Sequence, residues 1–141
     1  MAKDNIPYVV PVSFGYDGKA IYFHSAQQGQ KIDFITANNR VCFEFEGEVR
    51  LLANESSPCN WTFSFQSVIG NGRVVELIDV QERTRALECI VKQYASSAAP
   101  FETSRVSAVR VWKIEIESMT GKQSKDILAL SLEVSDSDPI S

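Results

Sequence analysis

Hydrophobic and polar positions alternate with a period of two over much of this chain, which predicts strands before helices. Tyr8–Tyr16 is rich in β-branched and aromatic residues, and Ala20–His24 repeats the pattern after Asp17-Gly18. An Asp-Gly pair between such runs predicts a hairpin, because both residues accept positive φ. A two-residue loop would pair Tyr16 with Lys19, Phe14 with Ile21, Ser13 with Tyr22, Val12 with Phe23 and Pro11 with His24. Val12, Phe14, Ile21 and Phe23 then share a core face, and Pro11, Ser13, Tyr22 and His24 share a half-polar one. Pro11 cannot donate to a ladder, which places its part of the strand at an edge or a bulge.

A helix follows. Ser25 is an expected N-cap with Gln28 at the capping-box position, and Ile32, Phe34 and Ile35 form an apolar stripe that ends at Asn38-Asn39. Arg40–Glu46 alternates Val41, Phe43 and Phe45 against Cys42, Glu44 and Glu46, a half-buried strand. A short strand is expected at Val49–Leu52 and a loop at "NESSPCN". Trp61–Ile78 reads as extended, and Asn71-Gly72 within it is either a second tight turn or a point in one long strand where something approaches the backbone closely. Asp79 and Glu82 cap a second helix that sets Val80, Leu87, Ile90, Val91 and Tyr94 near one face. Ser96–Ser104 reads as a loop and Val106–Glu117 as a closing strand, with Val109, Val111, Lys113 and Glu115 on one side. The acidic end, "SLEVSDSDPIS", reads as frayed. Five or six strands with two helices and no internal repeat predict a mainly β fold, a small barrel with flanking helices.

Composition narrows the function. The 141 residues have 44% hydrophobic content, enough for one core and one domain. A net charge of −4, with basic residues scattered among acidic ones, argues against nucleic acid as a partner. There is no membrane-length apolar run and no signal-peptide pattern, so a soluble, cytoplasmic protein is expected. Cys42, Cys59 and Cys89 are odd in number and irregularly spaced, which predicts neither disulfides nor a metal site.

The junction "YFHSAQQGQK" carries the candidate chemistry. A strand feeding a helix N-terminus presents unpaired N–H groups and the positive end of the helix dipole. Ser25 adds a hydroxyl, Gly29 permits close approach and Lys31 adds charge, an arrangement suited to a phosphate. These are also ordinary features of a helix start. His24 is the only histidine, and a lone histidine serves structure more often than catalysis.

The stretch "PYVVPVSFGYDGKAIYFHSAQQGQKIDFITANNRVCFEFEG" resembles the first half of the FMN-binding split-barrel proteins of the pyridoxamine 5′-phosphate oxidase-like group, in its nitroimidazole-resistance (Nim-type) branch. "SVIGNGRVVEL" and "IEIESMTGK" are similar to later strands of that branch, so the resemblance spans about residues 7–122. It implies a six-stranded split barrel over residues 1–122, followed by a partly flexible extension over 123–141. It also implies a homodimer with FMN in the grooves between subunits. Pro11, Val12, Ser13, His24, Ser25 and Ala26 would line the ring, Gly29 and Lys31 would take the phosphate, and Ser67, Val68, Ile69, Trp112 and Lys122 would complete the site. The resemblance favours one strand through Asn71-Gly72. The branch usually starts with a helix that "MAKDNI" does not supply, and no arginine-and-histidine signature for vitamin B6 oxidation follows Trp112. The implied function is flavin-dependent electron transfer to a small-molecule substrate such as a nitroaromatic, with His24 as the candidate catalytic residue. A non-catalytic FMN-binding or storage protein, or a haem-binding split-barrel relative, is the alternative.

Overall fold

The computed structural model describes residues 1–53, 56–96, 101 and 103–124; the rest of the extension expected over 123–141 lies outside the described residues. Contacts divide the chain into two compact units, Met1–Cys42 with Asn71–Ser118, and Phe43–Gly70 with Met119–Ser141. In chain order the elements are β1 (Ala2–Lys3), β2 (Ile6–Pro7), β3 (Phe14–Tyr16), β4 (Ala20–Ser25), α1 (Gln30–Ala37), β5 (Arg40–Glu46) and β6 (Arg50–Leu52). A 3-10 turn at Pro58–Asn60 leads to β7 (Thr62–Ser64), β8 (Gln66–Leu77), α2 (Val80–Tyr94), α3 (Thr103–Ala108) and β9 (Arg110–Gln123). Strands dominate and helices flank them. Five strands form one open sheet in the order β3-β4-β9-β8-β5, and β1-β2 and β6-β7 form separate two-stranded ladders. Among the described residues no sheet closes on itself.

The first unit opens with a hairpin the sequence pattern did not announce. Asp4 and Asn5 both take positive φ, 52° and 62°, and Lys3 pairs with Ile6 across them, the geometry of a tight primed turn. No helix stands there. Tyr8 follows and packs its ring 4.9 Å from that of Phe34 on α1.

The second hairpin forms around Asp17-Gly18, but its register differs from the expectation by two residues. Phe14 pairs with Phe23, Gly15 with Tyr22 and Tyr16 with Ile21. The cause is Asp17: its carboxylate accepts from the Lys19 and Ala20 amides at 2.9 and 2.8 Å, closing a four-residue loop through its own side chain. A shift of two keeps each residue on its predicted face. It does not keep the predicted partners, and Pro11, Val12 and Ser13 lie before β3, outside any ladder. On its other edge β4 pairs with β9, from Ala20↔Glu115 to Ser25↔Arg110.

In the first unit side chains are buried on both faces of this sheet. Leu77, Ala86, Leu87, Ile90, Val106 and Val111 make one cluster under α2 and α3. Ile21, Phe23, Trp112 and Ile114, which the strand alternation puts on the other face, are buried as well. Each such side chain contributes about 1.5–3 kcal/mol of transfer free energy, so these layers outweigh any single polar contact. Glycines sit where backbones meet: a Cβ on Gly15 would lie 2.5 Å from Cys89 C and Ile90 N of α2. Gly72 likewise has Ile114 Cγ2 2.8 Å from its would-be Cβ, and the carbonyl oxygen of Glu115 closer still. Strand β8 therefore passes straight through Asn71-Gly72 as one strand of 12 residues, which settles the choice between turn and strand.

Helix α1 begins later than expected. Gly29 is its N-cap, without a side-chain hydrogen bond, and Ser25 ends β4, so the Ser25/Gln28 capping box does not form. The helix stops at Asn38 as the sequence indicates. Helix α2 is capped by Asp79, which accepts from the Gln81 and Glu82 amides. Val80 and Tyr94, expected on its core face, are 44% and 61% exposed. The strand expected from Val106 starts at Arg110, and Val106 instead belongs to α3, buried to 1% exposure. Arg83 of α2 holds that helix by donating to the Val106 and Val109 carbonyls.

In the second unit β6 and β7 pair Leu51 with Phe63, meeting the expected short strand. Strand β5 alternates half-buried Phe43 and Phe45 with exposed Glu44 and Glu46, as its pattern indicates.

Candidate functional site

Alternation along β4 separates the two residues of the His-Ser pair. Ser25 shares a face with Phe23, Trp112 and Arg110, whereas His24 pairs with Val111 on the face that α2 and α3 cover. His24 is exposed and Ser25 is buried, 8% exposed. The Ser25 hydroxyl accepts from Trp112 Nε1 at 2.9 Å and donates to the Ala26 carbonyl at 2.9 Å. Ser25 sits at the end of β4, four residues before the Gly29 N-cap, and serves the strand end rather than α1.

Trp112 is 3% exposed. Its ring stacks on Phe23 with centroids 6.3 Å apart and planes 16° from parallel, and the Arg110 guanidinium lies 4.6 Å from its centroid, within cation-π range. Arg110 in turn donates to both carboxylate oxygens of Glu76, Nε at 2.8 Å and Nη2 at 2.5 Å. The Arg110 hydrogen bond and charge hold the Glu76 carboxyl below its ordinary range against the opposing effect of burial. Glu76 and Arg110 escaped the sequence reading. Arg110 shares strand parity with Trp112, a usable signal once the strand is known, but nothing local points to Glu76, 34 residues away.

Beyond Ser25 the chain runs through exposed Ala26 and reaches Gly29, whose φ of 135° favours glycine. The Gly29 carbonyl accepts from the Ile32 and Asp33 amides. That leaves the Gln30 and Lys31 amides of the first turn outside the helical ladder. Lys31 is half-buried, its Nζ 5.9 Å from the Phe23 ring centroid. Burial pushes its pKa below the ordinary lysine value, and no carboxylate pairs with it among the described residues. A lysine desolvated without a counter-ion beside free amides is a ready partner for an anion.

The remaining predicted residues fall elsewhere. Pro11, Val12 and Ser13 are exposed in the segment before β3. Ser67, Val68 and Ile69 belong to the second unit, the first two half-buried and Ile69 49% exposed. Lys122, also in that unit, is exposed and sets its Nζ 5.7 Å from the Phe65 centroid. Among the described residues no three metal-ligating side chains converge, and no helix is long and apolar enough to cross a membrane.

Comparison with known proteins places this architecture in a class. The family model for pyridoxamine 5′-phosphate oxidase matches residues 1–123, and the chain belongs to that family. A solved structure of a candidate 5-nitroimidazole antibiotic resistance protein from Bacteroides thetaiotaomicron is 33% identical. Its TM-score is 0.72, over 82% of this chain and 68% of that one. A FAD-binding protein from Mesorhizobium loti is 26% identical, with TM-score 0.61, covering 88% of this chain and 82% of its own. An uncharacterised protein of Rhizobium meliloti is 29% identical over 130 residues, 85% of this chain and 78% of that protein.

Proposed function

We propose that this chain is a flavin-dependent oxidoreductase that holds FMN and passes electrons to a small acceptor such as a nitroaromatic. The proposal includes a homodimer on the family's six-stranded split barrel, with flavin in the grooves between subunits. The observation that carries it is Lys31, half-buried at the start of α1 with no carboxylate paired to it among the described residues. One cation beside two free amides suits a single phosphate monoester, which favours FMN over a dinucleotide. The FAD-binding relative from Mesorhizobium loti and the nitroimidazole-resistance relative support the cofactor class and the acceptor class respectively.

Bound FMN would supply the electron-transfer chemistry at its ring, and the protein supplies placement and proton traffic. In this reading Lys31, with the Gln30 and Lys31 amides, binds the phosphate, and Gly29 lets the chain approach it. The Ser25 and Ala26 backbone orients the ring edge, with Pro11, Val12 and Ser13 as further ring contacts; Trp112, 3% exposed, acts through its bond to Ser25, and on the second unit Ser67, Val68, Ile69 and Lys122 are proposed contacts of a bound flavin. His24, exposed at the next position from Ser25, is the group proposed to exchange a proton with the ring.

The test is an FMN titration followed by anaerobic addition of NADH or NADPH. Lys31→Ala is expected to weaken FMN binding by about 1–3 kcal/mol, the worth of a charge-assisted contact to phosphate. Affinity that does not change sinks the phosphate assignment. His24→Ala is expected to keep its flavin and lose reduction rate. Bound flavin that neither nicotinamide bleaches, and that after reduction by dithionite does not regain its absorbance when a nitroaromatic is added anaerobically, sinks the oxidoreductase reading.

A further inference from the structure

We propose that Glu76 and Arg110 are positioning residues for the segment that leaves β4, acting through Trp112 and Ser25. The ligand end of this inference rests on the flavin reading above; the mechanical end does not. After Ser25 the chain runs to Gly29 with no ladder, and α1 begins without a side-chain cap. The direction of that exit is set by few contacts. Gln27 donates to the Ala108 carbonyl at 3.1 Å, and the Ser25 hydroxyl donates to the Ala26 carbonyl.

A hydroxyl carries one proton and two lone pairs and turns about its C–O bond to suit its partners. Trp112 Nε1 donates to one lone pair, which favours the orientation in which the Ser25 proton reaches the Ala26 carbonyl. The indole is held in turn by Phe23 and by the Arg110 guanidinium. Arg110 has five donors and many rotamers, and it stays over the ring because Glu76 takes two of those donors in a planar fork. The pair is partly exposed, its side chains 25% and 28% exposed, but the geometry is bidentate, unlike the loose surface pairs that contribute little. The four residues thus act in series from β8 through β9 to the end of β4. The stretch they aim is the one that carries Gly29 and Lys31.

A merely stabilising pair and a positioning pair predict different results. In the flavin-free protein, Glu76→Gln and Ser25→Ala are each expected to speed hydrogen exchange of the Ile32 and Asp33 amides, which donate to the Gly29 carbonyl, about tenfold and beyond any change along α2, as local opening becomes easier. Arg110→Lys should match Glu76→Gln, because an ammonium keeps the charge and loses the fork. The double variant Glu76→Gln with Ser25→Ala should open no faster than the faster single, since both break one series. FMN affinity should fall by a similar factor in each. A lowered unfolding midpoint with exchange at Ile32 and Asp33 changed only in step with α2 would falsify the positioning role, as would exchange factors that multiply in the double variant. If the wild-type protein takes up no FMN, the flavin reading fails and the exchange comparison alone still decides this one.

Discussion

Asp17 shows how one side chain reorganises its neighbourhood. Burial acts to raise its pKa, but hydrogen bonds from the Ala20 and Lys19 amides and from the Tyr22 hydroxyl outweigh it, so the carboxyl titrates below its usual value. The partner responds in the opposite direction. Burial first, then the 2.8 Å hydrogen bond to Asp17 and its charge, push Tyr22 up to about 12 from 10.0. A pKa raised by folding means the neutral phenol is preferred in the native state, so its stabilising contribution is complete below pH 10 and fades as pH climbs toward 12. Tyr22→Phe cannot lose what it lacks. The urea midpoint of the wild-type protein should exceed that of the variant at pH 9, and the gap should close by pH 12. A gap that stays constant across this range would show that the hydroxyl does not titrate against Asp17.

Elements were legible where local chemistry decides them. The alternation of β5 and the Asp79 cap of α2 are visible in the sequence because each needs only residues within a few positions of one another. Cap removal tests the second: Asp79→Ala, which loses acceptors for the Gln81 and Glu82 amides at 3.0 and 2.9 Å, should destabilise the protein by about 1 kcal/mol in urea melts. Asp79→Ser should recover most of it, and equal losses in the two variants would assign the effect to charge instead. Elements decided by distant partners were not legible. Val106 has strand chemistry, yet packing against α2 and the reach of Arg83 to its carbonyl turn it into helix. Ser25 has cap chemistry, yet Trp112, 87 positions along, claims its hydroxyl. Tyr94 sits at a core-facing helical position and instead accepts the Phe14 amide at 3.1 Å, with the two rings edge to face at 6.2 Å. The candidate site shows the same division: Gly29 and Lys31 could be read from one heptapeptide, and Glu76 and Arg110 could not.

At the scale of the first unit, the fold depends on how closely α2 can settle on the β3-β4 hairpin. The Tyr22 phenol and the Gly15 backbone face that helix, and the absence of a side chain at Gly15 lets the helix backbone come into contact. A methyl there would meet Cys89 C and Ile90 N at 2.5 Å, and neither atom can rotate aside as a side chain would. The helix must lift or the hairpin must bend, and both disturb the packing of Leu87 and Ile90 with Val111. Overpacking of this kind costs about 1–3 kcal/mol. Gly18 supplies the control. Its φ of 90° strains any side chain, but nothing lies within 4 Å of its would-be Cβ, so Gly18→Ala carries backbone strain without displaced packing. Gly15→Ala should therefore lower the urea midpoint at an unchanged m value and also accelerate exchange along α2. Gly18→Ala should lower the midpoint with exchange along α2 changed only in step with global stability. If Gly15→Ala melts like the wild type, α2 does not rest on the hairpin in solution as closely as described, and the core assigned to Leu77, Leu87, Ile90 and Val111 has to be redrawn.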